Sequence, residues 1–169
     1  LDTLKRVHEE ETEKIREAGR LVGDSLAEGR LLHVMGTGVH SYIGGEEIFY
    51  RAGGLVPVNA ILDPGLSAQA GANRGTQIER TPGYAQAILK TYPLEPGDVI
   101  LLVSTSGRNA FPIEMAMAAR EAGLKVIGLT SVDRNQTDYR LPRPVTANDF
   151  AVLLREIAGD APAVEAAPP

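Results

Sequence analysis

Asp98-Val-Ile-Leu-Leu-Val-Ser104-Thr-Ser-Gly107-Arg-Asn109 is the stretch of sequence that decides the fold. Its apolar run predicts a buried parallel strand, and the hydroxyl-rich turn that follows leads into a helix. Such a turn can hold a phosphate, because the first amides of a helix are unpaired and the helix dipole favours an anion there. Ser104, Thr105 and Ser106 would add hydroxyl donors without charge, and Gly107 would let the backbone approach a ligand closely.

A second strand-and-turn unit, Leu31-Leu-His-Val-Met-Gly36-Thr-Gly38-Val-His40-Ser41, has the same pattern. Apolar strands alternate with helical segments along the chain, which favours a three-layer α/β fold around a parallel sheet. Ligands of such open sheets bind outside the carboxyl ends of the strands. The two turns are therefore expected to face one pocket that takes a small phosphorylated molecule.

The remaining elements follow from periodicity and from capping residues. Helices are predicted over 3–28, 42–52, 82–91 and 110–122, and strands over 31–36, 55–59, 98–104 and 125–130. Ser41 and Thr81 are expected to cap the second and third of these helices. Residues 63–81 are glycine-rich and lack periodicity, so a long loop is predicted there. Residues 150–154 are compatible with a fifth strand or with a short helix.

Composition limits the function classes. The 169 residues are 43% hydrophobic, contain no cysteine and carry a net charge of −5. We expect one domain over 1–158, with helix 3–28 packed on it, followed by a frayed tail over 159–169. The absence of cysteine excludes a disulfide framework and a thiol nucleophile. The acidic charge argues against nucleic-acid binding, and no apolar run approaches the ~18 residues of a membrane span, so a cytoplasmic location is the default expectation.

Several of these motifs resemble one family. Leu94-Glu-Pro-Gly97-Asp98-Val, followed by an apolar strand and Ser104-Thr-Ser-Gly107, resembles the signature of sugar isomerase (SIS) domains, which bind phosphosugars. A subgroup of uncharacterised SIS proteins close to phosphoheptose isomerase is similar at further positions. These are Gly36-Thr-Gly-Val-His-Ser41, Glu46-Glu-Ile-Phe-Tyr-Arg-Ala-Gly-Gly54, Glu79-Arg80 and Gly83-Tyr84-Ala85. The resemblance runs from about residue 10 to residue 131.

The resemblance implies a flavodoxin-like parallel sheet of four to five strands, a homodimer or homotetramer, a phosphosugar ligand and no cofactor. The binding set that it implies, together with the turn residues, is Gly38, Ser41, Ser104, Thr105, Ser106, Gly107, Arg108 and Asn109. Asn109 departs from the family, since many SIS loops carry Ser or Thr there. A larger departure follows Ser131, where the subgroup often has a His-Ser pair and this chain reads Val132-Asp133-Arg134.

The resemblance implies an aldose–ketose isomerase or a related enzyme that acts on a sugar phosphate. Such an isomerase moves a proton between adjacent carbons through an enediol, which requires a base and an acid near the sugar. Glu79 is the first candidate base, with pairing to Arg74 or Arg80 as its structural alternative. Glu46 and Glu47 are neighbours on a predicted helix and cannot both face the pocket. Their alternative is a solvated or Arg51-paired surface, and the candidate catalytic set is Glu79, His40 and Glu47.

His40 is the only histidine expected at the carboxyl edge of the sheet, where it could act as the acid. His8 and His33 are expected to be structural. Arg108 could clamp a phosphate through two parallel N–H donors, or it could face solvent or pair with an acid across a dimer interface. No cluster of His, Asp or Glu has the spacing of a metal site.

Two alternative functions remain open at the level of sequence. The first is a phosphosugar-binding module without catalysis, like the sensory SIS domains of some transcription regulators. The second is a dinucleotide-binding oxidoreductase, because Gly36-Thr-Gly38 begins a glycine fingerprint. That fingerprint ends in Ser41 rather than glycine, and Asn59 stands where a ribose-binding acid is expected.

Overall fold

A computed structural model describes residues 2–131 of the chain, with side chains from residue 4 onward. In this part, four parallel strands form one sheet in the order β2-β1-β3-β4. The strands are β1 (Leu32–Gly36), β2 (Val58–Ala60), β3 (Val99–Val103) and β4 (Lys125–Leu129), and the helices are α1 (Asp2–Ala27), α2 (Ile43–Ile48), α3 (Ala72–Glu79), α4 (Tyr84–Leu89) and α5 (Ala110–Glu121). Two short 3₁₀ turns, Pro64–Leu66 and Ala68–Ala70, precede α3. The predicted parallel α/β architecture is confirmed, whereas the predictions for 150–154 and 159–169 lie outside the described residues.

The side chains of β3 alternate between two apolar layers, as a strand buried on both faces requires. Val99 and Leu101 belong to the layer shared with the last two turns of α1, where Val22 and Leu26 pack. Ile100 and Leu102 belong to the opposite layer, which α4 and α5 cover with residues such as Phe111, Met115, Ala119 and Leu89. The sheet is therefore the middle layer of three, as predicted.

Segment 63–83 differs most from the sequence prediction. It contains helix α3 instead of a continuous loop, although Ile78 is the only apolar residue of that helix larger than alanine. Gly75 explains why the helix forms here: a Cβ on it would lie 2.5 Å from the Val39 side chain, so α3 packs closely on the loop after β1. Tertiary packing, which leaves no periodic pattern, decides the structure of this segment.

Both predicted helix caps are wrong. The Ser41 hydroxyl donates to the Gly38 carbonyl, and α2 begins two residues later with no side-chain cap. The Thr81 hydroxyl donates to the Gln77 carbonyl, so it closes the end of α3, and α4 begins at Tyr84 after the left-handed residue Gly83. In both cases the hydroxyl bonds a preceding carbonyl, which is the usual competitor of N-capping.

A buried polar group joins three strands at the amino end of the sheet. The His33 ring lies 3.0 Å from the Asp98 carboxylate through Nε2 and 2.9 Å from the Asn59 amide nitrogen through Nδ1. Because an amide nitrogen only donates, Nδ1 accepts and the ring carries its proton on Nε2, toward Asp98. The same carboxylate accepts from the Glu95 amide, so His33 is structural, as expected.

Replacing Asp98 is expected to destabilise the fold. Asp98→Ala removes the acceptor of the His33 ring and of the Glu95 amide, and buried donors without acceptors cost about 1–3 kcal/mol each. We expect urea unfolding of Asp98→Ala to show a loss of about 3 kcal/mol in the free energy of unfolding. Glu28→Ala is the control, because Glu28 makes only a surface ion pair with Arg30 and should change stability by less than about 1 kcal/mol. Equal stability of the two variants would contradict the structural role of Asp98.

Candidate functional site

The order in which successive strands are added to the sheet reverses between β1 and β3. After β1 it moves outward to β2, and after β2 it returns to the other side of β1 to form β3. In open parallel sheets, ligands bind at such a switch point, between the loops that follow the two strands. We name these loops L1 (residues 37–42, after β1) and L3 (residues 104–109, after β3).

Thr37 ties the two loops together at their base. Its amide and its hydroxyl both donate to the Val103 carbonyl, at 2.8 and 3.0 Å, although Val103 is the last residue of the neighbouring strand. Thr37 is fully buried, so these bonds are shielded from water. Sequence reasoning did not single out Thr37, because a threonine after a strand is common and its acceptor lies 66 residues away.

L3 is a compact turn held by its own first residue. The buried Ser104 hydroxyl oxygen accepts from the Gly107 amide at 3.0 Å, and Gly107 has the left-handed φ of 63° that lets the turn close. The amides and hydroxyls of Thr105 and Ser106 make no hydrogen bond to the part of the chain that the structure describes. Thr105 is exposed and Ser106 is half-buried. The turn therefore directs Ser104 into the protein and leaves the donors of Thr105 and Ser106 available.

Helix α5 starts directly after L3. Its N-cap residue Asn109 has an extended backbone conformation but makes no side-chain bond to the first turn of its own helix. The Asn109 side chain instead lies beside the carboxylate of Glu79 and lowers its pKa. The first amides of α5 consequently lack a side-chain cap on the side of L3, which leaves the positive end of the helix dipole facing this loop.

Glu79 is the last residue of α3 and lies over L1. A Cβ on Gly38 would stand only 2.6 Å from the Glu79 carboxyl carbon, so the carboxylate rests on the bare backbone of Gly38. Burial raises the pKa of Glu79, and the Asn109 side chain and the charges of Arg80 and His40 offset only part of that rise. Residues of L1 and L3 thus meet at the end of α3 around this carboxylate, and its proton affinity is higher than that of an ordinary glutamate.

The other predicted site residues occupy distinct environments. His40 is exposed at the tip of L1 and is close enough for its charge to act on Glu79. The Ser41 side chain is buried and directed to its own loop. Arg108 is half-buried and already has an interaction partner within the protein. The structure therefore brings His40, Glu79 and Asn109 together, while Ser41 supports L1 from inside.

Glu47 lies on the outer surface of α2. It pairs with Arg51 at 2.7 Å, and both side chains are 58% exposed. This is the Arg51-paired surface that the sequence offered as the structural alternative. Glu46 is also exposed, and its charge contributes, after burial, to the raised pKa of Tyr42. Helix α2 has only six residues, so L1 does not lead into the long helix that a dinucleotide fingerprint requires.

Comparison with protein families assigns most of the chain to a known domain. Residues 1–131 match the SIS domain family, which is more than three quarters of the chain. Among curated proteins, the UPF0309 protein SCO4393 of Streptomyces coelicolor is 44% identical over 134 residues, which cover 78% of this chain and 53% of the relative. The UPF0309 protein TTE0306 of Caldanaerobacter subterraneus is 40% identical over 137 residues, covering 80% and 55%. The chain thus spans about half the length of the curated relatives it matches.

Two solved structures have the same fold. Phosphoheptose isomerase GmhA from Neisseria gonorrhoeae superposes with a TM-score of 0.58 at 21% identity and covers 92% of this chain and 89% of its own. A phosphoheptose isomerase from Francisella tularensis gives a TM-score of 0.57 at 18% identity, covering 94% and 88%. Within residues 2–131, every helix is too short or too polar to cross a membrane. The three-layer parallel fold and the match over residues 1–131 lead to one conclusion: this chain belongs to the SIS domain family.

Proposed function

We propose that this protein binds a sugar phosphate in the crevice between L1 and L3 and catalyses its aldose–ketose isomerisation. The observation that carries the proposal is the meeting of Glu79, Asn109 and His40 beside a turn with available donors. Two solved proteins of the same fold are named phosphoheptose isomerases, which supports a sugar phosphate as the ligand class. The protein would act as a homo-oligomer, as the SIS resemblance implies.

The phosphate group would lie on L3. Thr105 and Ser106 would donate hydroxyl and amide hydrogens to its oxygens, and the first amides of α5 would add the dipole of a 12-residue helix. Ser104 would act from behind, since its bond to the Gly107 amide shapes the turn. A neutral cradle of this kind holds an anion through directed donors and needs no surrounding excess of positive charge.

The sugar would extend from L3 toward Glu79. As base, the Glu79 carboxylate would take the proton from the carbon beside the carbonyl, and the C–H electron pair would form the enediol double bond. The carbonyl oxygen would take a proton from an acid, for which His40 is the candidate. Glu79 would then return its proton to the former carbonyl carbon, while the hydroxyl of the neighbouring carbon would lose its proton to His40 and become the new carbonyl, which restores both groups. A raised carboxylate pKa suits this role, because a base works best when its pKa approaches the working pH.

A binding module without catalysis is the second candidate. The observation in its favour is His40, which is exposed and makes no hydrogen bond to the described residues that would orient its ring. A general acid acts efficiently only when it is held within hydrogen-bond reach of its target. A protein that binds phosphosugars tightly and turns none of them over would be this second type.

Removing the Ser106 hydroxyl, one of the two available hydroxyls of L3, should weaken phosphosugar binding. Ser106→Ala is expected to raise the Kd about tenfold, since a hydrogen bond to a charged group contributes about 1.5–3 kcal/mol. The measurement is a thermal-shift titration with pentose, hexose, heptose and amino-sugar phosphates. Ser104→Ala combined with Ser106→Ala should abolish the thermal protection altogether.

Thr91→Ala is the control, because Thr91 is exposed near the end of α4 and bonds only the Ile88 carbonyl. It should bind sugar phosphates like the wild type. The unphosphorylated sugars should protect none of the proteins. Undiminished protection of the double variant by the same sugar phosphates would remove L3 from the binding site.

Neutralising the proposed base should stop turnover without preventing binding. Glu79→Gln keeps an oxygen that can accept from Asn109, so we expect the sugar phosphate to bind while kcat falls at least ~100-fold. Glu47→Gln is the matched control and should retain full activity, because Glu47 pairs on the surface with Arg51. The opposite outcome, an active Glu79→Gln and an inactive Glu47→Gln, would place the base on α2.

The raised pKa of Glu79 also has a consequence for stability. A carboxyl group whose pKa is higher in the folded than in the unfolded protein stabilises the fold only while it is protonated. That stability is complete below the ordinary pKa of 4.5 and is lost as the pH rises through the folded pKa. Urea unfolding between pH 4 and pH 8 should therefore show Glu79→Gln gaining stability over the wild type with rising pH. If the two proteins differed by the same free energy of unfolding at every pH, Glu79 would have an ordinary pKa.

A further inference from the structure

A buried carboxylate follows β2, outside the crevice between L1 and L3. Asp63 is only 9% exposed and accepts two kinds of hydrogen bond. The Gly65 amide donates to its Oδ1 at 2.8 Å, and the Tyr84 hydroxyl lies 3.1 Å from each of its two oxygens. Asp63 thus has hydrogen-bond partners at both ends of a long segment, residues 64–83.

Segment 64–83 contains α3 and places Glu79 at the site. Asp63 bonds Gly65 near the start of this segment and Tyr84 directly after its end, so one carboxylate holds both ends. Gly65 sits at the centre of this closure: a Cβ on it would lie 3.0 Å from the Tyr84 hydroxyl and 3.0 Å from the tip of Ile78. Ile78 directly precedes Glu79 on α3. Gly65 therefore packs closely against both the Tyr84 hydroxyl and the side chain of the residue before Glu79.

The ring of Tyr84 also packs against α5, the helix whose N-cap residue is Asn109. It packs against the ring of Phe111 with centroids 5.8 Å apart and a tilt of 47°. Phe111 is fully buried in the first turn of α5, two residues after Asn109. One side chain thus contacts the segment that supplies Glu79, through its hydroxyl, and the helix start that supplies Asn109, through its ring.

We propose that Tyr84, anchored on Asp63, is a positioning residue that keeps the Glu79 carboxylate at the Asn109 amide. The proposal rests on the proposed function for its catalytic consequence and on the contacts of Tyr84 for its structural one. The hydrogen bonds and the ring contact of Tyr84 are to Asp63 and Phe111, which lie outside L1 and L3, so we expect it not to contact the sugar phosphate. Without the hydrogen bond from the Tyr84 hydroxyl, Asp63 would no longer hold the end of segment 64–83. The Glu79 carboxylate and the Asn109 amide would then lose their fixed relative positions.

The surrounding charges favour Tyr84 as a permanent hydrogen donor. Burial, followed by the bond to Asp63 and the negative charge of that residue, raises the pKa of Tyr84, and the positive charge of Arg74 offsets part of this. The phenol consequently stays protonated at neutral pH and keeps donating. Tyr92 lies near the same carboxylate, and burial followed by the charge of Asp63 raises its pKa too, while the Leu62 backbone offsets part of this rise.

The test compares Tyr84→Phe with Tyr92→Phe, since each removes one half-buried hydroxyl near Asp63. Tyr84→Phe should lower kcat between tenfold and a hundredfold with KM changed less than twofold, because a small misplacement of a reacting group affects the chemical step and not the phosphate cradle. Its Glu79 carboxyl, followed by ¹³C NMR titration, should show a pKa closer to the ordinary 4.5 than in the wild type. Tyr92→Phe should leave both readouts unchanged.

Asp63→Asn provides a second variant with a weaker, neutral acceptor and should shift both readouts in the same direction by a smaller amount. If no sugar phosphate is turned over by the wild type, the proposed function fails, and the NMR titration alone decides the role of Tyr84. An unchanged Glu79 titration in Tyr84→Phe and Asp63→Asn would overturn the proposal. An equal shift in Tyr92→Phe would overturn it too, because loss of either hydroxyl would then act through general loosening of the core.

Discussion

The parallel pairing of β1 with β3 is the interaction on which the site depends. Five residue pairs, from Leu32 with Val99 to Gly36 with Val103, bring the ends of the two strands to the same level. L1 and L3 therefore leave the sheet side by side, although 66 residues separate Thr37 from the Val103 carbonyl to which it donates. The crossover that places these strands next to each other also creates the only kind of crevice that an open parallel sheet offers to a ligand.

Sequence reasoning succeeded where a local signal and the tertiary structure agree. The run from Val99 to Val103 is apolar and rich in branched residues, so its strand and the helix after it were predictable. It failed for α3, because Gly75 and a single large apolar side chain give no amphipathic period. The packing of Gly75 on Val39, distant in sequence, stabilises that helix, and no local pattern records such a contact.

The hydroxyl groups of the site show a second limit of sequence reasoning. Serines favour turns because they can bond the nearby backbone, and the same preference is present whether or not a ligand binds. Ser41 and Ser104 use their oxygens inside the protein, whereas Ser106, two residues further along the same turn, does not bond the described residues. A sequence identifies the turn and its donors, but the direction of each hydroxyl depends on a φ angle such as that of Gly107. The predicted binding set therefore divides into residues that build the turn and residues that remain available.

The surroundings of Glu79 raise the proton affinity of its carboxylate without burying it completely. Complete burial of a carboxylate would force it to stay protonated, and full exposure would leave it a weak base. Here the bare backbone of Gly38 allows the carboxylate to settle at the edge of the core, while the Asn109 side chain beside it favours the charged form. Asn109 makes no side-chain bond to the first turn of α5, so the helix start is left open toward L3. The same asparagine thereby holds the carboxylate and exposes the amides that favour an anion, so the two halves of the site form together.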